Sequence, residues 1–281
     1  MPKLIQKIVC GFGNQLFFIF NAISLALDYN LDLEIELTSI DSKRPNFTKY
    51  KIFANSKINK IARIKANNLK HIKQIKFFYE KIVLEPNTNY LIDGGKDGYF
   101  QSYKYFWHNI DKIKEYLNVP NNIFEKYGNI IKSIGKKTIA VHIRLTDYVK
   151  YKSYFYNYPI SYYKEVLSKY NLDEYEIILF SDDIVKANQL LSTIIPSNKI
   201  ILANNYSSDD EEQFVMMCHT DIRILCNSTY SLWSCYLNEI YGFNQNSTYW
   251  FGNKWFGING PSFKLEDLIP MENSRYNVYE L

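Results

Sequence analysis

The sequence has little net charge and no long apolar segment. Its formal charge is +4 over 281 residues, and the basic side chains are spread among Asp and Glu without a long basic run. This pattern argues against a nucleic-acid surface, although a mild basic excess suits an anionic small ligand or a loose contact with acidic lipid headgroups. No stretch reaches about eighteen apolar residues without a charge, so the sequence predicts no membrane-spanning helix.

Cysteine is also scarce. The four cysteines form no CxxC or Cys/His ligand spacing and lie inside apolar stretches, at Cys10, Cys218, Cys226 and Cys235. They are predicted to be buried thiols in a reducing compartment, and to form neither a zinc site nor a disulfide framework. Because residues 1–7 are too short and too charged for a signal peptide, we expect a cytoplasmic protein.

Several catalytic motifs are missing as well. The chain contains no Gly-x-Ser-x-Gly, no HExxH, no P-loop and no Asp-x-Asp pair of the kind that holds a divalent cation in many transferases. Leu16 stands where a dinucleotide-binding fingerprint needs its third glycine. The sequence therefore implies no metal and disfavours a dinucleotide-dependent oxidoreductase.

The apolar pattern alternates short strands with helices. It predicts a strand at residues 6–10, a helix at 16–28 and a strand at 31–37, before a Lys- and Asn-rich region that runs to about residue 81. From residue 138 to about 241 strands and helices alternate strictly, which predicts a parallel sheet covered on both faces. A capping box that begins at Ser208 is predicted to start one of these helices. We place two domains at residues 1–136 and 137–281.

Four segments carry candidate functional residues. The first is Gly11-Phe12-Gly13-Asn14-Gln15, between the first strand and its helix. Glycines at such a turn let backbone amides approach a ligand phosphate, and the helix N-terminus favours negative charge. Taken alone, a Gly-x-Gly pattern is weak evidence for a binding site.

The second segment leaves the first strand of the second domain and contains His142, Arg144 and Asp147. Side chains alternate along a strand, so His142 and Arg144 are predicted to share a face at its carboxyl end, where parallel sheets bind ligands. Two basic groups there suit a diphosphate, and an arginine can stabilise the charge of a leaving diphosphate. The alternative is an ion pair between Arg144 and Asp147 that caps the strand end.

The third segment is the strand end Phe180-Ser181-Asp182-Asp183. Carboxylates at this place can accept hydrogen bonds from a guanine or a ribose, or they can cap the following helix. Capping is the simpler interpretation for Asp183. The two carboxylates are adjacent in sequence, so they do not imply a metal site.

The fourth segment is Asn227-Ser228-Thr229-Tyr230-Ser231, at a predicted turn from a strand into a helix. Small hydroxyl side chains place OH and NH donors around a helix N-terminus, which is an arrangement that binds anions. An ordinary helix cap by Ser228 or Ser231 explains the pattern equally well.

In this order the segments resemble glycosyltransferase family 11, the α-1,2-fucosyltransferases and their bacterial relatives. Five elements along almost the whole chain carry the resemblance: Gly11-Phe12-Gly13-Asn14-Gln15-Leu16-Phe17, Gly98-Tyr99-Phe100-Gln101-Ser102 with Tyr105-Phe106, Phe180-Ser181-Asp182-Asp183, Asn227-Ser228-Thr229-Tyr230-Ser231-Leu232-Trp233, and Trp255-Phe256-Gly257 with Asp267-Leu268-Ile269-Pro270. The family usually reads His-x-Arg-Arg-Gly-Asp-Tyr where this chain has Leu145 in place of the second arginine. Strand alternation predicts that Leu145 points away from Arg144.

The resemblance implies a GT-B-like α/β fold, with two Rossmann-like domains facing each other across a cleft. The N-terminal domain would lie on the acceptor side and the C-terminal domain would bind GDP-fucose. The donor-binding residues it implies are Gly11, Gly13, Asn14, Gln15, His142, Arg144, Asp182, Asn227, Ser228 and Thr229. Arg144 and His142 would be catalytic, and Asp147 is the nearest carboxylate in sequence that could act as the base.

The implied reaction is an inverting transfer of L-fucose from GDP-β-L-fucose to the 2-hydroxyl of a terminal galactose, without a cofactor or a divalent metal. The expected acceptor is a galactose-terminated oligosaccharide or a lipid-linked glycan of lipopolysaccharide O-antigen synthesis, met at the cytoplasmic face of the inner membrane by peripheral contact. No nucleic-acid partner is expected. Two alternatives stay open: another GDP-sugar transferase or fucosyl linkage, and an inactive nucleotide-sugar-binding protein, which the loss of the arginine at Leu145 would permit.

Overall fold

The computed structural model describes residues 1–36, 50–60, 69–73 and 79–281. Most of the Lys- and Asn-rich region, and the end of the strand predicted at 31–37, lie outside these residues. The chain forms two compact α/β units, each built on its own sheet. Unit 1 comprises Met1–Asn121 with Ser262–Pro270, and unit 2 comprises Asn122–Pro261 with Met271–Leu281.

Strands and helices follow one another along the described residues. In chain order they are β1 (Lys3–Lys7), α1 (Phe12–Tyr29), β2 (Asp32–Glu36), β3 (Lys70–His71), β4 (Tyr90–Asp93), α2 (Ile110–Lys114), α3 (Asn122–Ser133), β5 (Lys137–Ile143), α4 (Thr146–Lys150), α5 (Ile160–Leu167), β6 (Tyr175–Ser181), α6 (Ile184–Leu191), β7 (Ile200–Leu202), α7 (Asp210–Cys218), β8 (Ile222–Ile224), α8 (Thr229–Tyr241), β9 (Thr248–Gly252), α9 (Leu265–Leu268) and β10 (Tyr276–Tyr279). Within these residues no helix is both long enough and apolar enough to cross a membrane.

Unit 1 has a parallel sheet in the order β2-β1-β4-β3. The chain leaves β1 through a short loop and enters α1, whose residues from 15 to 26 are all buried. The helix ends at Asn30, which adopts a left-handed conformation with φ of 50°. Asparagine tolerates this conformation well, so it terminates the helix at little cost.

Unit 2 has a larger parallel sheet in the order β10-β9-β8-β5-β6-β7. The chain builds β5, β6 and β7 outward on one side, then returns to add β8, β9 and β10 on the other side. The strand order therefore reverses between β5 and β8. In parallel sheets, the carboxyl ends of strands at such a reversal form the usual ligand crevice.

The division between the units differs from the predicted boundary between residues 136 and 137. Helix α3 precedes that boundary but belongs to unit 2, because its apolar face is buried, with Phe124, Tyr127 and Ile131, and it packs against α7. The Tyr127 hydroxyl also donates a hydrogen bond to Glu212. An amphipathic helix joins the unit that covers its apolar face, so the chain divides between residues 121 and 122.

The chain also returns to unit 1 near its end. Asp267 is buried, and its carboxylate accepts hydrogen bonds from the Tyr79 backbone NH at 2.9 Å and from Lys104 Nζ at 2.7 Å. The Ser102 hydroxyl donates to the Asp267 carbonyl oxygen at 2.7 Å. These contacts explain why residues 262–270 belong to unit 1 although unit 2 continues after them.

Two smaller predictions need correction. Cys10 is only partly buried, whereas Cys218, Cys226 and Cys235 are buried as predicted. Helix α7 is capped by Asp209, whose carboxylate accepts hydrogen bonds from the backbone NH groups of Glu211 and Glu212. The predicted cap, Ser208, lies one residue too early in the chain to play this part.

Candidate active site at the carboxyl ends of β5, β6 and β8

Arg144 follows β5 directly and is held by two carboxylates of unit 2. Its Nε lies 2.8 Å from Asp147 Oδ1 and 3.1 Å from Asp182 Oδ2. The side chain is 31% exposed, and none of the described residues hydrogen-bonds either of its terminal Nη atoms. The guanidinium is therefore fixed through one edge and keeps the other edge for a ligand.

The charge of Arg144 is secure. Partial burial works against the cation, but the hydrogen bond to Asp147 and the charge of Asp182 outweigh it and raise the pKa of Arg144 further above its ordinary value. A fixed guanidinium with two open N–H-bearing atoms matches the oxygens of a phosphate or diphosphate.

Asp182 accepts hydrogen bonds from the turn that follows Arg144. Its Oδ1 accepts a hydrogen bond from the Leu145 backbone NH at 2.9 Å. Its Oδ2 accepts from the Thr146 backbone NH at 3.1 Å and also from the Thr146 hydroxyl. Burial alone would raise the pKa of Asp182, but the Thr146 hydroxyl and the Arg144 charge lower it overall. Both oxygens of the carboxylate predicted to hold guanosine are thus engaged within the protein.

Asp147 and Asp183 both make the simpler contacts that the sequence allowed. The Arg144–Asp147 ion pair, which the sequence offered as the alternative to a diphosphate site, is formed, and the Asp147 side chain is 41% exposed. Asp183 caps α6, since its carboxylate accepts a hydrogen bond from the Lys186 backbone NH at 3.1 Å.

His142 is not the second cation that the sequence suggested beside Arg144. The residue is 3% exposed, and its Nδ1 lies 3.3 Å from the buried sulfur of Cys226. Burial and then the Arg144 charge lower the pKa of His142 to about 3. Because the imidazole is neutral near pH 7, it offers a diphosphate no charge, and the positive potential here comes from Arg144.

The Leu145 side chain lies on the opposite face from the Arg144 side chain and its ion pairs, as the alternation of side chains predicts. It is 8% exposed and belongs to an apolar cluster with Ile143 and Tyr163. A cavity of about 200 Å³ adjoins this cluster and is also lined by Arg144 and Asn227.

Asn227 and the start of α8 complete this edge of unit 2. Asn227 is 1% exposed; its Nδ2 donates to the Trp255 carbonyl, while its Oδ1 has no hydrogen-bond partner within the described part of the chain. Ser228 occupies the N-cap position of α8, but its hydroxyl makes no cap, and the Ser231 hydroxyl donates to the Ser228 carbonyl at 3.2 Å. Thr229 already belongs to the first helical turn. The side-chain cap offered as the alternative interpretation is thus not formed.

The residues of unit 1 that were predicted to bind the sugar-nucleotide donor lie at the start of α1, next to the loop that follows β1. Gly11 is the N-cap residue, and Gly13 is buried in the first turn of the helix. Gln15 Nε2 donates to the Cys10 carbonyl at 2.9 Å, and Asn14 Oδ1 accepts from Gln101 Nε2 at 2.8 Å. These contacts tie two of the motifs that carry the family resemblance to each other.

Sequence reasoning missed two features of these sheet edges. Tyr148 donates its hydroxyl to the Asn227 carbonyl at 2.8 Å, and its ring centroid is 5.8 Å from Arg144 Cζ. Tyr148 follows Arg144 by four residues in the sequence, and this spacing was the available signal. His71 and Asp97 of unit 1 form a pair at 2.7 Å, for which no local pattern gave a signal. In the described ranges no three His, Cys, Asp or Glu side chains group as a metal site requires.

The class of fold is defined by two α/β units, each built on a parallel sheet, with Arg144 at a strand end of unit 2. Solved structures share this fold: the fucosyltransferase NodZ from Bradyrhizobium matches with 10% identity and a TM-score of 0.53, over 84% of this chain and 93% of NodZ. NodZ α-1,6-fucosyltransferase co-crystallized with GDP matches with 11% identity and a TM-score of 0.52, over 84% and 92%. A glycosyl transferase family 9 protein from Veillonella parvula DSM 2008 matches with 9% identity and a TM-score of 0.52, over 99% and 87%. The expected GT-B-like α/β fold class is confirmed.

The family is shown by sequence. The model of glycosyl transferase family 11 matches residues 35–248, so the chain belongs to glycosyl transferase family 11. This confirms the family suggested by the resemblance, and the matched residues include three of the five elements that carried it. No curated protein matches the chain in sequence.

Proposed function

We propose that the protein is an inverting fucosyltransferase that moves L-fucose from GDP-β-L-fucose to the 2-hydroxyl of a terminal galactose. Membership of family 11 supports a glycosyltransferase, and structures of similar fold are those of a fucosyltransferase crystallized with GDP or soaked with GDP-fucose. The α-1,2 linkage rests on the sequence resemblance alone, since NodZ is an α-1,6-fucosyltransferase.

The observation that carries the proposal is the orientation of Arg144. Asp147 and Asp182 hold its Nε, while its terminal nitrogens have no hydrogen-bond partner in the described residues. When the bond between fucose and the diphosphate breaks, negative charge grows on the departing phosphate oxygens. A fixed guanidinium stabilises that charge without having to reorganise, and this is the part that a divalent metal plays in other transferases.

Unit 2 is accordingly proposed as the donor unit and unit 1 as the acceptor unit. Asn227, Ser228 and Thr229 start α8 at the strand reversal, and they supply further donors for phosphate oxygens. Asp182 acts by positioning Arg144 and the turn after it, and the donor contact of neutral His142 stays a prediction. The donor contacts of Gly11, Gly13, Asn14 and Gln15 stay predictions.

The proposed acceptor is a galactose-terminated oligosaccharide or a lipid-linked glycan of surface polysaccharide synthesis. The sequence resemblance supports this acceptor, and so does the cytosolic origin of the sugar-nucleotide donor. The corresponding place of action is the cytoplasmic face of the inner membrane, with peripheral contact only.

The test is incubation of the full chain with GDP-fucose and a galactose-terminated acceptor such as lactose, in the presence of EDTA. We expect fucosylated product whose linkage, read by NMR, is α-1,2 to galactose. Transfer from another GDP-sugar in preference to GDP-fucose would contradict the donor assignment. GDP binding without turnover would favour an inactive nucleotide-sugar-binding protein, the candidate that Leu145 supports.

A further inference from the structure

The cavity of unit 2 that is lined by Arg144 and Leu145 lies at the carboxyl end of β5. Its volume is about 200 Å³, below the roughly 300–1,000 Å³ of pockets that hold drug-sized ligands. Val149 and Leu190 also line it and are 44% and 36% exposed, so the cavity reaches the surface. It therefore has room for a small ligand that enters from solvent.

Two asparagines that line the cavity offer hydrogen-bond acceptors. Asn157 Nδ2 donates to the Tyr148 carbonyl at 3.1 Å, and Asn227 Nδ2 donates to the Trp255 carbonyl. Because a carbonyl oxygen only accepts, these bonds fix which end of each amide carries the hydrogens. Both Oδ1 atoms are buried and have no hydrogen-bond partner among the described residues. A buried acceptor without a partner costs free energy, so a ligand that donates to these atoms is stabilised.

The other walls are mostly aromatic and aliphatic. Three of the four lining tyrosines donate their hydroxyl hydrogens to backbone carbonyls: Tyr148 to Asn227 at 2.8 Å, Tyr158 to Gly252 at 3.0 Å and Tyr163 to His142 at 3.0 Å. These bonds hold the rings in place, so the rings contribute apolar surface to the cavity. Among the lining residues in the described part of the chain, Arg144 is the one with a charged side chain.

These walls select a neutral ligand that carries hydroxyl groups. The free amide oxygens repel the oxygens of a phosphate or a carboxylate, and Arg144 repels a cation. A guanine base could donate to the amide oxygens, but its O6 and N7 atoms need donors, and most of the lining tyrosines already use theirs. A pyranose ring has hydroxyl donors around its rim and apolar C–H faces, which suit acceptors placed between aromatic walls.

We propose that this cavity binds the fucosyl ring of the donor, next to the diphosphate that Arg144 holds, an inference that rests on the proposed function. Arg144 lines the cavity, and its Cζ lies 5.8 Å from the ring centroid of Tyr148, another lining residue. The amide oxygens of Asn157 and Asn227 accept hydrogen bonds from the sugar hydroxyls, and the tyrosine rings pack against its C–H face. Asn157 is thus a residue that recognises the sugar and not the nucleotide.

The experiment titrates GDP and GDP-fucose, without an acceptor, into the full chain as wild type, Asn157→Ala and Asn277→Ala. Asn277 is a matched control, because it is also partly buried and its Nδ2 also donates to a backbone carbonyl, that of Tyr249 at 3.3 Å. It does not line the cavity. We expect Asn157→Ala to bind GDP-fucose about 5- to 10-fold more weakly and GDP as tightly as the wild type. Asn277→Ala should bind both ligands normally.

A second pair of variants narrows the cavity without removing a hydrogen bond. Leu190 and Val185 both lie on α6 and are exposed, but only Leu190 lines the cavity. Leu190→Trp should weaken the binding of GDP-fucose and leave the binding of GDP unchanged, whereas Val185→Trp should change neither.

Unchanged GDP-fucose affinity in both Asn157→Ala and Leu190→Trp would overturn the inference. An equal loss of GDP affinity in variants that fold normally would also overturn it, because the cavity would then hold the nucleotide. A raised KM for lactose with unchanged GDP-fucose affinity would overturn it as well and assign the cavity to the acceptor. A wild type that binds GDP-fucose but transfers no fucose would instead contradict the proposed function.

Discussion

His142 and Arg144 are separated by one residue, yet one side chain is neutral and the other is charged. The alternation of side chains along the strand correctly predicts that His142 and Arg144 lie on one face and Leu145 on the other. Their charges depend on neighbours far away in sequence: Cys226 and α8 bury His142, whereas Asp182 meets Arg144. Sequence could thus place the candidate arginine but could not show that the histidine beside it is uncharged.

The buried imidazole makes stability depend on pH. The unfolded chain protonates His142 below about pH 6.5, whereas the folded chain resists protonation down to about pH 3. The stability this group contributes is therefore present above about pH 6.5 and is lost as the pH falls toward 3, by up to about 1.4 kcal/mol per pH unit. His219 acts in the same direction, because burial lowers its pKa to about 4. Urea unfolding at pH 7, 6 and 5 measures the effect.

The control for this prediction is a comparison of two glutamine variants. His142→Gln removes the buried titrating group, so the free energy of unfolding should fall less steeply between pH 7 and pH 5 than in the wild type. His219→Gln, which removes the second imidazole whose pKa burial lowers, should flatten the slope in the same direction. An unchanged slope in His142→Gln would show that its pKa is not depressed in the folded protein.

Strand β5 shows how much of an element the sequence determines. Its inward positions Ile139, Val141 and Ile143 join a cluster that continues into Leu145. The alternation of strands and helices predicted from residue 138 onward is confirmed by the order β5, α5, β6, α6, β7, α7, β8 and α8. The residue that caps a helix was harder to predict from the sequence. Ser208 and Asp209 are neighbours and both residue types are good caps, so the backbone conformation decides which of them caps α7.

The position of Leu145 leads to a prediction for this cluster. Leu145→Ala removes a buried side chain beside an existing cavity, so it should lower the free energy of unfolding by about 2–5 kcal/mol. Val149 lies on α4 and is 44% exposed, so Val149→Ala should cost clearly less. Urea denaturation of the two variants makes the comparison. Equal, small losses would contradict the burial of Leu145.

The whole molecule is divided in a way that local patterns do not reveal. A single boundary was predicted, but residues 262–270 return to unit 1 through buried Asp267. The motif that contains Asp267 was recognised as a family feature, while its structural task depends on Tyr79 and Lys104, far earlier in the chain. Long-range pairings of this kind cannot be derived from periodicity.

Pairings at the sheet edges show the same limit. Arg144, Asp147 and Asp182 come from two strand ends whose motifs were readable, so their neighbourhood could be predicted from parallel-sheet topology. His71 and Asp97 are 26 positions apart and meet only because β3 pairs with β4. Strand β3 spans two residues, which is too short to give a detectable pattern.

The central claim, that Arg144 grips the diphosphate of the donor, is tested most directly by titrating GDP into the wild type and two matched variants. Arg144→Lys keeps a charge but loses the planar fork, whereas Arg275→Lys makes the same change at an arginine paired with Glu239, before β10. We predict that GDP binds the wild type and Arg275→Lys equally. Arg144→Lys should bind about 10- to 100-fold more weakly, the equivalent of about 1.5–3 kcal/mol for a hydrogen bond to a charged group. Equal GDP affinity in all three proteins would contradict the account.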